Sequence, residues 1–223
     1  MRRSWVRPAS LRGLFAVPLM VAIVLGTASV GAARVLAQGV PSAAAGPPGT
    51  GLAWGNNSDG ELGDGTTTDS STPIAVDLPA DTTITAIAAG TAYGLALTSA
   101  GTVLAWGDNS AGQLGDGTTT DSSTPVAVDL PAGTTVTAVA AGDRHSLALT
   151  SAGTMLAWGE NFIGQLGDGT TTPQKHPRCG GPANRHHDHR HAAGDRHSLA
   201  LTSTGTVLAW GDNSAGQLGD GTT

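Results

Sequence analysis

The sequence is poor in several residue types, and each shortage narrows its function. There is one cysteine, Cys179, so no internal disulfide can form. There is one lysine, Lys175, and aromatic residues make up 4% of the 223 residues. Of the eleven basic residues, five (Arg2, Arg3, Arg7, Arg12, Arg34) lie at the start, and Lys175, Arg178, Arg185 and Arg190 lie in one segment. Elsewhere only Arg144 and Arg196 stand against sixteen acidic residues. Such a surface repels phosphate backbones, so no nucleic-acid partner is expected. No nucleophile elbow, phosphate-cradling loop or isolated carboxylate pair occurs, so the sequence reads as non-catalytic and without a cofactor.

The basic start is followed by an uncharged, mostly apolar run, Gly13 to Ala33. That order is the pattern of an export signal. Cleavage is expected after Val30-Gly31-Ala32 or Val35-Leu36-Ala37, and the uncut alternative is a membrane anchor. Residues 1–37 are therefore read as signal peptide or N-terminal anchor. Both readings put the remainder outside the cytoplasmic membrane, secreted or anchored, touching the membrane only through this segment. Residues 38–50, rich in Ala, Pro and Gly, read as a linker.

From residue 51 onward the chain repeats itself. Trp54, Trp106, Trp158 and Trp210 are each 52 residues apart. Around them run LAWGNNSDGELGDGTTT, LAWGDNSAGQLGDGTTT, LAWGENFIGQLGDGTTT and LAWGDNSAGQLGDGTT. In one unit Ser146–Thr150 alternates, Ala152-Gly153 reads as a two-residue turn, and Thr154–Trp158 returns as its hairpin partner. Val126–Leu130 and Thr135–Ala140 supply two further strands. Four antiparallel strands in a unit of this length make the blade of an all-β propeller.

The stretch AAGDRHSLALTSAGTMLAWGENFIGQLG resembles the regulator of chromosome condensation repeat family, in its bacterial secreted form. The resemblance covers residues 51–223 apart from one segment. It implies a seven-bladed propeller, of which this chain holds about 3.3 repeats and reads as a fragment. Two open sheet edges would follow, and self-association through them is expected.

The recurring residues read as structural. Each Trp fills space between blades. Gly107, Gly112 and Gly115 permit tight turns, Gln113 ties the loop to its own blade, and His145 and His197 pack inside the blade. Calcium does not fit, because Asp108, Ser110 and Gly112 lack a third oxygen ligand and no Glu closes the loop.

Residues 173–191 break the repeat with PQKHPRCGGPANRHHDHRH, where 121–139 read DSSTPVAVDLPAGTTVTAV. His186, His187, His189 and His191, with Cys179 upstream, are ligand types for zinc or nickel. A frame displacement accounts for them better. Back-translated and read one nucleotide later, Lys175 to Arg190 gives STPVAVDLPTGTTTTA, matching 123–138 at fourteen of sixteen positions. No evolved metal site is expected on this reading, and the segment should fail to pair as strands.

The sequence thus points to a non-catalytic extracellular scaffold that binds an unknown protein. Guanine-nucleotide exchange, implied by the family's namesake, is the first alternative, and a non-functional gene fragment is the second.

Overall fold

The computed structural model describes residues 34–36, 51–181 and 188–223. The proposed linker and all of the export segment except 34–36 lie outside the described residues. The described chain is all-β. Its strands are β1 (Arg34–Leu36), β2 (Leu52–Gly55), β3 (Ser70–Ala75), β4 (Ile84–Ala89), β5 (Tyr93–Thr98), β6 (Val103–Gly107) and β7 (Ser122–Ala127). They continue as β8 (Val136–Ala141), β9 (His145–Thr150), β10 (Met155–Gly159), β11 (Gln174–Cys179), β12 (Asp188–Ala193), β13 (His197–Thr202) and β14 (Val207–Gly211). Two sheets have four antiparallel strands in chain order, β4 to β7 and β8 to β11. These are complete blades. They are flanked by two three-stranded sheets, β1-β2-β3 and β12-β13-β14, so the molecule is an incomplete propeller.

The inner hairpin of each blade follows from its sequence. In β9 and β10 the register runs from Met155 opposite Leu149 to Gly159 opposite His145. Thr150 and Thr154 close a three-residue loop, Ser151 to Gly153, one residue longer than the sequence suggested. Gly153 takes φ 75° there, the left-handed position such a loop needs. Every residue of β9 and of β10 is buried. The alternation therefore does not separate a dry face from a wet one. Ala148, Leu156 and Trp158 pack towards the preceding blade with Leu95, Val103 and Leu114. Leu147, Met155 and Ala157 pack towards the following blade with Ala200 and Trp210.

The outer strand lies elsewhere than the apolar pattern indicated. It is Ser122–Ala127, not Val126–Leu130. Ala127 pairs with Leu104 and Ser122 with Gly107, with a bulge opposite Trp106. Pro125 sits in that bulge on the outermost strand, where its missing N–H leaves no ladder bond unmade. Val128 N still donates to Val103 O at 3.0 Å, and beyond it the chain turns away, Leu130 N donating to Val128 O at 2.9 Å. Val128 and Leu130 both enter the core, so beyond Val128 the periodicity reports burial rather than pairing.

The irregular segment does pair, contrary to the expectation from its composition. In β11 Cys179 lies opposite Leu156 and Gln174 opposite Gly159, the register of β7 displaced by one repeat. In β12 Asp188 lies opposite Thr202, as Val136 lies opposite Thr150 in β8. The ladder is made of backbone groups and tolerates the foreign side chains. Pro177 falls where Pro125 falls, within the same kind of bulge, so even the proline obstructs nothing. Arg34–Leu36, assigned from sequence to the export segment, pairs with β2 as β1, in the place β9 holds beside β10.

Candidate protein-interaction face

Two sets of loops meet at one end of the blades. One set joins the first two strands of a blade and the other joins its last two. They are stitched together, Asp108 N donating to Ala92 O at 2.8 Å and Glu160 N to Arg144 O at 2.8 Å. The shorter loops also link blade to blade, through Thr91 N to Asp143 O at 3.4 Å and Asp143 N to Asp195 O at 3.1 Å. A continuous rim results.

The longer loops are fixed by one asparagine each, fully buried in the first three. Asn109 Nδ2 donates to Asp116 Oδ1, Thr118 Oγ1 and Thr120 O at 3.0–3.1 Å, and its Oδ1 accepts Leu114 N at 3.0 Å. Asn57, Asn161 and Asn213 make the corresponding bonds to the aspartate carboxylate and threonine hydroxyl of their own loops. Gln113 is fully buried, its Nε2 donating to Asp108 Oδ2 at 2.7 Å and its Oε1 accepting Ala111 N at 2.9 Å. The carboxylate of Asp168 feels partial burial, which raises its pKa. The hydroxyl and amide of Thr170 and the amide of Asn161 outweigh this and hold it below the usual range. These polar groups shape the loops.

The repeated tryptophans join successive blades. Trp158, fully buried, donates its Nε1–H to Gln113 O at 2.8 Å, and Trp106 and Trp210 bond likewise to Glu61 O and Gln165 O. Gln113 thus ties its own loop with its side chain and the next blade with its carbonyl. Gly115 has φ 69°, and a Cβ there would strike the Trp158 indole. Gly107 and Gly112 also take positive φ within these turns. Trp54 is half-buried on β2.

His145 reaches out of its blade instead of bonding within it. Its Nε2 lies 3.0 Å from Ser198 Oγ of the next blade. Burial first, then the nearby His197, pushes its pKa down to about 4 against the opposing pull of Asp143, so the ring is neutral. Tyr93, one repeat earlier, donates its hydroxyl to the His145 carbonyl and accepts from Ser146 Oγ. His197 is half-buried.

Between the first two long loops lies a cleft of about 150 Å³, lined by Asp59, Thr91, Ala92, Asp108, Asp143 and Arg144. Arg144 Nε lies 3.9 Å from Asp108 Oδ2, with half of the arginine side chain in water. On the third long loop Phe162 and Ile163 are 67% and 40% exposed. Neither was singled out from sequence. The signal was present, because they stand where the other loops have Ser-Asp or Ser-Ala.

The His/Cys segment is only partly visible. His186 and His187 lie outside the described residues, as does the side chain of His189. Cys179 is exposed on β11. His191 lies on β12, and neither ring nitrogen has a hydrogen-bond partner among the described residues. Burial pushes its pKa down to about 4. Among the described residues no group of three or more His, Cys, Asp or Glu side chains could hold a metal ion.

The chain matches the RCC1-like domain over residues 17–223. It is 35% identical to human E3 ubiquitin-protein ligase HERC2 over 191 residues, 85% of this chain and 4% of that protein. It is 34% identical to the ultraviolet-B receptor UVR8 of Arabidopsis thaliana over 168 residues, 75% of this chain and 38% of the receptor. Among solved structures, Prp20p of Saccharomyces cerevisiae superimposes with a TM-score of 0.67 at 28% identity, covering 87% of this chain and 45% of that one. Human WBSCR16 gives 0.65 at 28% identity, covering 72% and 42%. The chain thus spans less than half the length of each of these relatives, and by its repeats, its blades and these matches it belongs to the RCC1-like domain family.

Proposed function

We propose that this protein is a non-catalytic scaffold that binds another protein outside the cytoplasmic membrane. The observation that carries the binding role is the loop-built face. Its loops are held by buried Asn109, Asn161 and Gln113, and its rim is bonded from blade to blade. Side chains presented on such a frame lose little freedom on docking, which favours recognition. The chemistry on that face is carboxylate, guanidinium and exposed apolar surface, suited to protein contact rather than bond cleavage. The yeast relative Prp20p is described by its binding to Gsp1p and histones, which supports a binding role for this fold. The location rests on the basic and apolar start of the sequence.

Two experiments test this. The full chain is expressed with its own N-terminus in a bacterium, and protease is added to intact spheroplasts. Digestion of the repeats supports export, and protection until lysis overturns it. Separately, hydrogen exchange maps where peptides selected from a displayed random library bind. Protection of the loops around Asp108, Arg144 and Glu160 is expected, and binders that protect only sheet edges overturn the assignment of this face.

Exchange-factor-like regulation of a small GTPase is the second reading, favoured by the fold likeness to Prp20p. Its measurement is release of a fluorescent guanine nucleotide from a small GTPase. No acceleration by the full chain is expected.

A further inference from the structure

The four long loops share one backbone solution and vary, among other positions, at the two residues after the recurring asparagine. These are Ser58-Asp59, Ser110-Ala111, Phe162-Ile163 and Ser214-Ala215. Three of the loops use the first position for their own structure. Ser58 Oγ donates to Asn56 Oδ1 at 2.9 Å, and Ser110 and Ser214 donate to Asp108 and Asp212 at 3.2 Å. Phe162 makes no such bond, yet its loop is intact. Asn161 keeps its bonds, Ile163 N reaches Gln165 Oε1 at 3.1 Å, and Gln165 Nε2 reaches Glu160 Oε2 at 3.1 Å. The loop therefore holds its shape without these two side chains and presents them to water.

The surroundings are acidic. Among the described residues Asp108, Asp143, Glu160, Asp195 and Asp212 share this face with Arg144 and Arg196, and the exposed Lys175 adjoins the second long loop beside Gly112. Arg144 already faces Asp108, and Arg196 lowers the pKa of Asp212, after the larger effect of the Ser214 amide and hydroxyl. An exposed aromatic beside an aliphatic, on a rigid loop rimmed by charge, has the anatomy of an interface anchor.

We propose that Phe162 and Ile163 anchor a docking surface, and that the partner is a polypeptide offering an apolar cleft flanked by lysine or arginine side chains. This rests on the reading that the loop face binds protein. The basic flanks would meet Glu160, Asp143 and Asp195, and the cleft would take the phenyl ring out of water.

The test uses the full chain and, as probe, short random peptides displayed on phage. Phe162→Ser with Ile163→Ala restores the Ser-Ala pair of two sister loops, so folding is retained and an unchanged melting curve verifies it. Peptides rich in apolar and basic residues are expected, with binding weakened about tenfold or more by the double substitution. Peptides that protect the loop face in hydrogen exchange but bind the double variant equally well overturn this inference and leave the scaffold reading standing. Recovery of acidic peptides overturns it too. If no peptide binds the loop face, both fall together.

Discussion

Residues 121–139 and 173–191 occupy the same two strands of successive blades and share almost no side chains. The first stretch gives Val126, Val128, Leu130, Val136 and Val139 to a cluster that encloses Trp158 and Leu95. At the positions of Val126, Val128 and Val139 the second has Arg178, Gly180 and His191. Among the described residues the cluster around Trp210 is smaller, built from Leu147, Met155, Ala157, Leu166 and Ala200. Both stretches nevertheless pair in one register. Strand pairing depends on backbone groups and a bulge that fits Pro125 or Pro177. Cohesion between blades depends on apolar volume. The first requirement survives the change of sequence and the second does not.

Exchanging the two sequences should give the largest effect. Writing the residues of 175–190 into 123–138 removes Val126, Val128, Leu130 and Val136 from the core. A loss of about 5 kcal/mol or more is expected, with loss of cooperative melting. Writing STPVAVDLPTGTTTTA into 175–190 should raise stability by about 3 kcal/mol, several degrees in the melting midpoint. An unchanged midpoint would show that the foreign side chains cost nothing.

Acid should separate the regions next. His145 and His191 are both neutral in the fold, with pKa values lowered from 6.5 to about 4. The unfolded chain therefore binds more protons between those values, so stability is complete above pH 6.5 and falls as pH drops towards 4. Each histidine accounts for about 3 kcal/mol of that loss. His191→Val should remove roughly half of it and stabilise the neutral protein by about 1–2 kcal/mol, read from denaturant midpoints across the pH range. An acid profile identical to the parent's would mean that His191 is not buried in solution.

A smaller effect is expected at Cys179, which is exposed where Ala127 stands in the regular blade. Cys179→Ala should leave stability within about 0.5 kcal/mol, and the thiol should react readily with an alkylating reagent in the folded protein. The gene tests the origin of the segment without altering it. Codons 175–190, read one nucleotide later, should spell the regular repeat. Other bases at the third codon positions would sink that origin.

Much of the blade was legible in the sequence. Alternation in Ser146–Thr150 and the recurring Gly-Thr located the inner hairpin, because a strand buried between blades needs small and apolar residues throughout. The outer strand was displaced by four residues at its start, since Leu130 continues the alternation of Val126 and Val128 after the chain has left the ladder. The loop face was less legible. The Arg144–Asp108 pair joins residues far apart in the chain, and the exposure of Phe162 depends on what the folded loop leaves uncovered.

The sequence alone determined the repeat, the all-β class and the positions of the tryptophans, because those follow from local periodicity. Tertiary structure decided that Trp158 bonds to Gln113 O across a blade boundary, that His145 reaches Ser198, and that β11 and β12 pair despite their side chains. The β11 and β12 ladders close within a blade through backbone groups, whereas the other two contacts join segments a full repeat or nearly so apart. They are set by how twisted sheets stack, which no single unit of the sequence contains.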